Sequence, residues 1–314
     1  MNEANNSEAN NSEANKNEVH EKCLQCRKQA GTVQLVRPFF LIVIGLFFGV
    51  MGNSKGLLAD GLFSIANMLI ALSISLGKKW GKKDEDEAHP YGYGKIEFII
   101  GAFAGGSIIL GTLMWVYNFR DSIIFNYALI FPSYLIILVS ILSILVNEMA
   151  LKYLRCMEKQ FAHEMTNTGT NAEINFWAIR GESFSAVAVI LGVLGTRFGW
   201  LHADGIVALL ITVAIVVSSA KFFWDSVSGL LDKSIPSEQV AQIIKAIGEI
   251  GPDAFELKRT IAYLNGRNIR VNIEIKINEV TATIEHFDQI ADAIKKRIFQ
   301  LNSAITHINV AYSL

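Results

Sequence analysis

The sequence predicts an α-helical membrane protein in which six transmembrane helices precede a small cytoplasmic α/β domain. Three observations carry that prediction. The first is composition: 51% of the 314 residues are hydrophobic and 18% charged, with a mean hydropathy of +0.34. That is too apolar for an ordinary soluble domain. The second is a set of six apolar stretches, near residues 36–53, 56–76, 96–118, 127–149, 174–195 and 203–223. Most are long enough to cross a hydrocarbon core of about 30 Å. The third is a change of character after "SGLLDKSIP" (228–236), where helix and strand periodicities replace continuous apolar runs.

Lysine and arginine orient the spans. Segments 16–37, 78–95 and 152–159 hold five, five and three of them, whereas Lys55, Arg120 and Arg197 stand alone in the opposite loops. The positive-inside rule therefore places both termini in the cytoplasm, as an even number of spans requires.

Residues 1–33 form a tail ahead of the membrane domain (34–227). Its opening, "MNEANNSEANNSEANKNEVHEK", repeats a SEANN-type unit with almost nothing apolar to bury, and reads as disordered. It lacks the basic and apolar regions of a signal peptide. Cys23 and Cys26 form a CxxC, but with His20 they reach at most three of the four ligands of a closed metal site. Reduced thiols are the simpler reading, for Cys156 as well. A net charge of -1 gives no footprint for nucleic acid, so the expected partners exclude it.

Residues 234–314 read as the soluble domain. Val240, Ile243, Ile244, Ile247 and Ile250 make one helical stripe, and Ile284, Phe287, Ile290, Ile294 and Ile298 a second. Between them Ile269, Val271, Ile273, Ile275 and Ile277 alternate with Arg270, Asn272, Glu274 and Lys276, the pattern of a half-buried strand. Strand-like stretches at 257–265 and 305–313 complete an αββαβ order, a small sheet covered on one face by helices.

Three motifs go beyond architecture. "GLLADGLFSIAN", "HPYGYGKIEF" and "SGLLDKS" together resemble the cation diffusion facilitator family of divalent-metal transporters, whose members typically read ADxxHSxxD, HxxGHGKxE and LLD in these places. The likeness runs from about residue 36 to 314. "CLQCRKQ", the tyrosine in "HPYGYGKIEF" and "VNEMALKY" are similar to the Mam-type, magnetosome branch of that family. The resemblance implies a ferredoxin-like cytoplasmic domain and a homodimer, or a heterodimer with a relative. It also implies exchange of a cytoplasmic divalent cation for protons, outward or into a magnetosome compartment. Iron, or else manganese, is the implied cargo, and no resident cofactor is expected. The implied location is the inner or a magnetosome membrane.

In that family a tetrahedral site lies between the second and fifth spans, with two ligands four residues apart on each. That spacing suits the purpose, since i and i+4 share one helical face. Carried onto this chain, the pairs fall on Phe63 and Asn67, and on Ala178 and Glu182. Phe63 and Ala178 carry no ligand atom, Asn67 offers a neutral carbonyl, and only Glu182 is charged. Zinc prefers imidazole and thiolate, so the implied transport site is degenerate. Asp60, seven before Asn67 on the same face, either joins an all-oxygen site or stabilises the helix start, and its position favours the second. Glu182 either carries a cation or proton, or belongs to a structural pair.

The loop "KKDEDEAHPYGYGK" (82–95) holds the resemblance's second site. Asp86 and His89 match two ligand positions, and Tyr93 stands where a histidine would. A phenol is a poor ligand at neutral pH, and a solvated acidic turn is the plainer reading. His286 matches a cytoplasmic ligand, but its usual companion corresponds to Ala311, with His307 as a substitute. Lys95 and Asp232, in the GK and LLD motifs, are candidates for an intersubunit pair. No nucleophile–base constellation stands out, so an enzyme is not expected. The expected function is that of a divalent-cation transport protein of altered selectivity with a degenerate site, and the alternative is a transport-impaired paralogue that scaffolds or regulates an active relative.

Overall fold

The computed structural model describes residues 36–83, 85–124, 132–160, 169–250, 255–266, 268–277, 284–302 and 304–313. Six apolar helices come first: α1 (Val36–Met51), α2 (Lys55–Trp80), α3 (Ile96–Ile124), α4 (Leu135–Gln160), α5 (Gly169–Arg197) and α6 (Ala203–Leu230). Five of them, α2 to α6, contain segments long and apolar enough to cross a membrane; α1, which starts at the first described residue, has 16 described residues. The C-terminal part then runs α7 (Ser237–Gly248), β1 (Phe255–Asn265), β2 (Asn268–Ile277), α8 (Ile284–Leu301) and β3 (Ile305–Ser313).

Among the described residues two compact units result, one from within 36–72 and 108–219, the other from within 73–107 and 220–313. The division therefore does not follow the expected boundary between 227 and 234. The end of α2, the start of α3 and the end of α6 belong with the sheet, and small residues let them approach. A Cβ on Gly77 would lie 2.9 Å from the Glu97 backbone, and one on Gly105 3.0 Å from Phe223.

The first unit buries a cluster that includes Leu57, Phe63, Ile136, Val189, Val193, Ile211 and Ile215. Its outward side chains are also apolar, among them Phe39, Phe47, Leu138, Leu191, Leu210 and Val217. Polar groups such as Ser140, Asn147 and Glu182 are buried instead. Polar inside and apolar outside is the arrangement a hydrocarbon solvent demands.

In the second unit β1 and β2 form an antiparallel hairpin, and β2 pairs parallel with β3, giving the order β1-β2-β3. The hairpin turns through Gly266, whose φ of +64° suits glycine. Ile269, Val271, Ile273 and Ile275 face α7 and α8 residues including Ile243, Ile247, Ile290, Ile294 and Ile298 in one core. Two expectations need correction. Ile244, assigned to the buried stripe, is 42% exposed. Arg270, assigned to the solvent side of β2, is buried because a loop covers it, as described below.

Every member of that C-terminal core lies between Ile235 and Val310. Residues 234–314 are therefore expected to fold alone and to dimerise at the same size with or without chelator, as read by light scattering. Association that appears only on adding metal would give His286 and His307 a ligand role.

Candidate functional site

The facing surfaces of α2 and α5 are built as rungs. Asn67 donates from Nδ2 to Glu182 Oε1 at 2.8 Å. Seven residues earlier on α2 and three later on α5, the Ser185 hydroxyl donates to the Asp60 carboxylate. Phe63 fills the step between the rungs, its ring so close to α5 that a Cβ on Gly181 would lie 3.1 Å from it. Phe63 and Asn67 are thus turned toward α5, as the i,i+4 spacing requires. A phenyl ring and an amide stand there instead of ligands.

The second oxygen of Glu182 meets a group that the sequence reading had counted as a surface cation. Arg37, second residue of α1, donates from Nη1 to Glu182 Oε2 at 2.6 Å. Their side chains are 8% and 1% exposed. The same nitrogen donates to Oδ1 of Asn147 on α4 at 2.5 Å. The next residue, Glu148, accepts from Arg180 at 2.6 Å. Arg180 and Glu182 therefore serve different partners, as residues two apart on a helix must. Arg37 and Asn147 were missed. The signal for Asn147 was visible, since two adjacent polar residues within an apolar span are costly without partners.

Asp60 does not stabilise the start of α2. That task belongs to Ser54, whose Oγ accepts from Leu57 N at 3.1 Å, and to Asp204 of α6. Asp204 accepts from Ser54 Oγ at 2.8 Å, Lys55 N at 2.6 Å and Gly56 N at 3.2 Å. A carboxylate here also lies in the first turn of its own helix, so one charge serves two helix N-termini. With the first N–H groups satisfied, Asp60 lies one turn too deep to cap.

In the loop before α3, both oxygens of Asp86 are engaged by protein donors. Tyr93 donates to Oδ2 at 2.8 Å, Lys83 Nζ lies 3.2 Å from the same oxygen, and His89 N donates to Oδ1 at 2.7 Å. Lys83 also donates to the Tyr93 hydroxyl at 3.1 Å, and the His89 and Tyr93 rings lie 4.2 Å apart. The Tyr93 hydroxyl first, then Lys83 and His89, hold the Asp86 carboxyl well below the usual carboxylate range. A lowered value means the network stands above the ordinary carboxylate pKa of about 4 and is lost as pH falls through the lowered one. The turn is therefore more than a solvated acidic run, but no ion is needed to close it.

The same loop docks on the sheet. Arg270 Nη2 donates to Tyr91 O at 2.8 Å and to Glu85 at 3.0 Å, and Asn265 Nδ2 donates to Tyr91 O at 3.0 Å. Lys95 and Asp232, the candidates for an intersubunit pair, lie 3.0 Å apart within one chain. His307 lies opposite Arg270 on β3 and is exposed. The side chains of His286 and Cys156, and residues 20, 23 and 26, lie outside the described residues.

Among the described residues no group of three or more His, Cys, Asp or Glu could hold a metal ion. The four positions on α2 and α5 offer one carboxylate, one amide and two carbon-only side chains. They do not fit a tetrahedral transition metal.

The sequence profile of the cation efflux transmembrane domain matches residues 32–231. The chain belongs to that family of cation transporters. It is 28% identical over 284 residues to the magnetosome protein MamB of Magnetospira sp. (strain QH-2), covering 88% of this chain and 91% of that protein. It is 25% identical over 300 residues to the putative transporter MamV of Paramagnetospirillum magneticum, covering 93% and 85%. To the manganese efflux system protein MneP of Bacillus subtilis it is 23% identical over 296 residues, covering 91% and 96%. The resemblance drawn from the three motifs is thereby upheld, and so is the architecture of membrane helices followed by a small α/β region. As a member of the cation efflux family this is an integral membrane protein.

Proposed function

We propose that this protein takes part in divalent-cation handling as a transport-impaired member of its family, working as the dimer partner of an active relative. The cargo of that pair is iron or manganese, suggested by the magnetosome proteins and the manganese efflux protein among its relatives. The observation that carries the reading is the filling of the α2–α5 step by Phe63, beside a Glu182 whose two oxygens are both engaged. An ion arriving there finds no imidazole or thiolate and no unengaged carboxylate oxygen on Glu182. Asp86 and His89 offer no ready substitute, since Tyr93 and Lys83 engage one oxygen of the loop carboxylate and the His89 N–H the other. The membrane is the inner or a magnetosome membrane, with both termini cytoplasmic, as the basic segments suggest.

A second reading keeps transport. Asp60 and Glu182 are two carboxylates on facing helices, and such groups mark ion and proton paths in membranes. On this reading the chain exchanges a hard cation for protons through oxygen ligands. Uptake into liposomes separates the two, with zinc, manganese and ferrous iron offered to the purified chain under a proton gradient. No uptake above protein-free vesicles is expected. Saturable uptake of any of the three would overturn the impaired-transporter reading.

A further inference from the structure

We propose that Arg37 is a tethered cation that takes the cargo's place between α2 and α5, supplying Glu182 with a built-in counter-ion and excluding a divalent ion from it. This deepens the reading above and rests on it. Loss of ligands at Phe63 and Ala178 would by itself leave Glu182 as a buried, uncompensated carboxylate, which a membrane interior does not tolerate. The guanidinium removes that problem from inside the chain. Its Nη1 lies 2.6 Å from Glu182 Oε2, and the two side chains are almost fully withdrawn from solvent, so neither water nor salt screens them.

Three features make this more than a chance pair. The same nitrogen is held by Asn147, so α4 fixes the arginine in place. Asn67 engages the other carboxylate oxygen, leaving both of them occupied. A guanidinium, unlike an imidazole or an amine, stays charged across the physiological range. A proton cannot be traded for it. The network thus joins α1, α2 and α5 through one carboxylate and α4 through the arginine, in the position where an exchangeable ion would otherwise join α2 and α5.

A consequence distinguishes this from a purely structural salt bridge. Rebuilding the ligands is not enough to create a metal site while Arg37 remains. The triple variant Phe63→His, Asn67→Asp, Ala178→His keeps Glu182 and provides two imidazoles and two carboxylates, each pair at i,i+4. Zinc is the probe, measured by titration of the purified full chain in detergent, with circular dichroism as the control for folding. Adding Arg37→Gln to the triple variant is expected to tighten zinc binding by about tenfold or more, the size of a modest coupling between competing ligands. Arg37→Lys in the same background keeps the charge but lacks the planar fork, and is expected to fall between the two. Should the glutamine variant fail to fold, the lysine variant carries the test. Zinc affinity unchanged by either substitution would overturn the role of Arg37 while leaving the unmodified chain inert. Uptake by the unmodified chain in liposomes would overturn the proposed function, and this inference with it.

Discussion

Replacing Arg37 with alanine is expected to destabilise the protein by about 3–5 kcal/mol, the range for breaking a buried ion pair from one side. The loss comes less from the attraction removed than from the carboxylate left behind. Among the described residues Glu182 would keep Asn67 alone as a side-chain hydrogen-bond partner, in surroundings where its side chain is 1% exposed. Asn147 would lose the donor to its Oδ1 as well. Glu182→Gln alone should also destabilise, by stranding the guanidinium. The double variant Arg37→Met, Glu182→Gln should lie closer to the parent than either single one, because removing both charges removes the desolvation cost with the attraction. Reversible unfolding in mixed micelles reads all four proteins. A loss below about 1 kcal/mol for Arg37→Ala would be the signature of a hydrated surface pair and would contradict the buried geometry.

Asp204→Ala is expected to cost about 3 kcal/mol. The carboxylate receives the Ser54 hydroxyl and the backbone N–H groups of Lys55 and Gly56, and each donor left unsatisfied costs about 1–3 kcal/mol where water cannot replace the partner. Lys55 is partly exposed, so water recovers some of the loss there. Asp204→Asn keeps an acceptor oxygen but loses the charge that assists these bonds and complements two helix N-termini. It should cost roughly half as much, or about 1–2 kcal/mol. Thermal unfolding gives the magnitudes, and amide exchange at Lys55 and Gly56 locates them. Unchanged exchange in Asp204→Ala would mean that the start of α2 is held by other groups.

Much of the architecture was legible because it depends on local pattern. The apolar stretches became helices, the second, third and sixth starting close to where expected, whereas the fourth, expected over 127–149, is described over Leu135–Gln160, its expected start lying outside the described residues. The alternation of Ile269 to Ile277 became β2, whose buried face is the isoleucine and valine face. The strand-like stretch at 257–265 became most of β1. Ile244 and Arg270 were misjudged for one reason: periodicity assigns a face, but not whether another segment covers it. Arg270 is covered by Tyr91, some 180 residues earlier in the chain.

The candidate site was legible in a different measure. Phe63, Asn67 and Glu182 were marked through the motifs that resemble the family, and Asn67 and Glu182 also through the expense of polar groups in apolar spans. Their facing arrangement follows from the two helices meeting along that stripe. Arg37 was not legible as part of it. At the start of an apolar stretch, an arginine reads as an orienting surface charge, and only the approach of α1 to α5 turns it inward. The same limit applied to Asp60, whose nearness to the helix start suggested a cap until Ser54 and Asp204 proved to fill that place.

From sequence alone, then, the identity of the elements, the family and the absence of ligand atoms at Phe63 and Ala178 were determined, since these depend on residue type and on spacing along one helix or strand. Which charge meets which was decided by the tertiary structure. Glu182 could have met Arg180, two residues away, but helical geometry turns the two apart and gives Arg180 to Glu148. The carboxylate is left to an arginine 145 positions distant. A buried charge must find a partner, but only the packing of the helices chooses it.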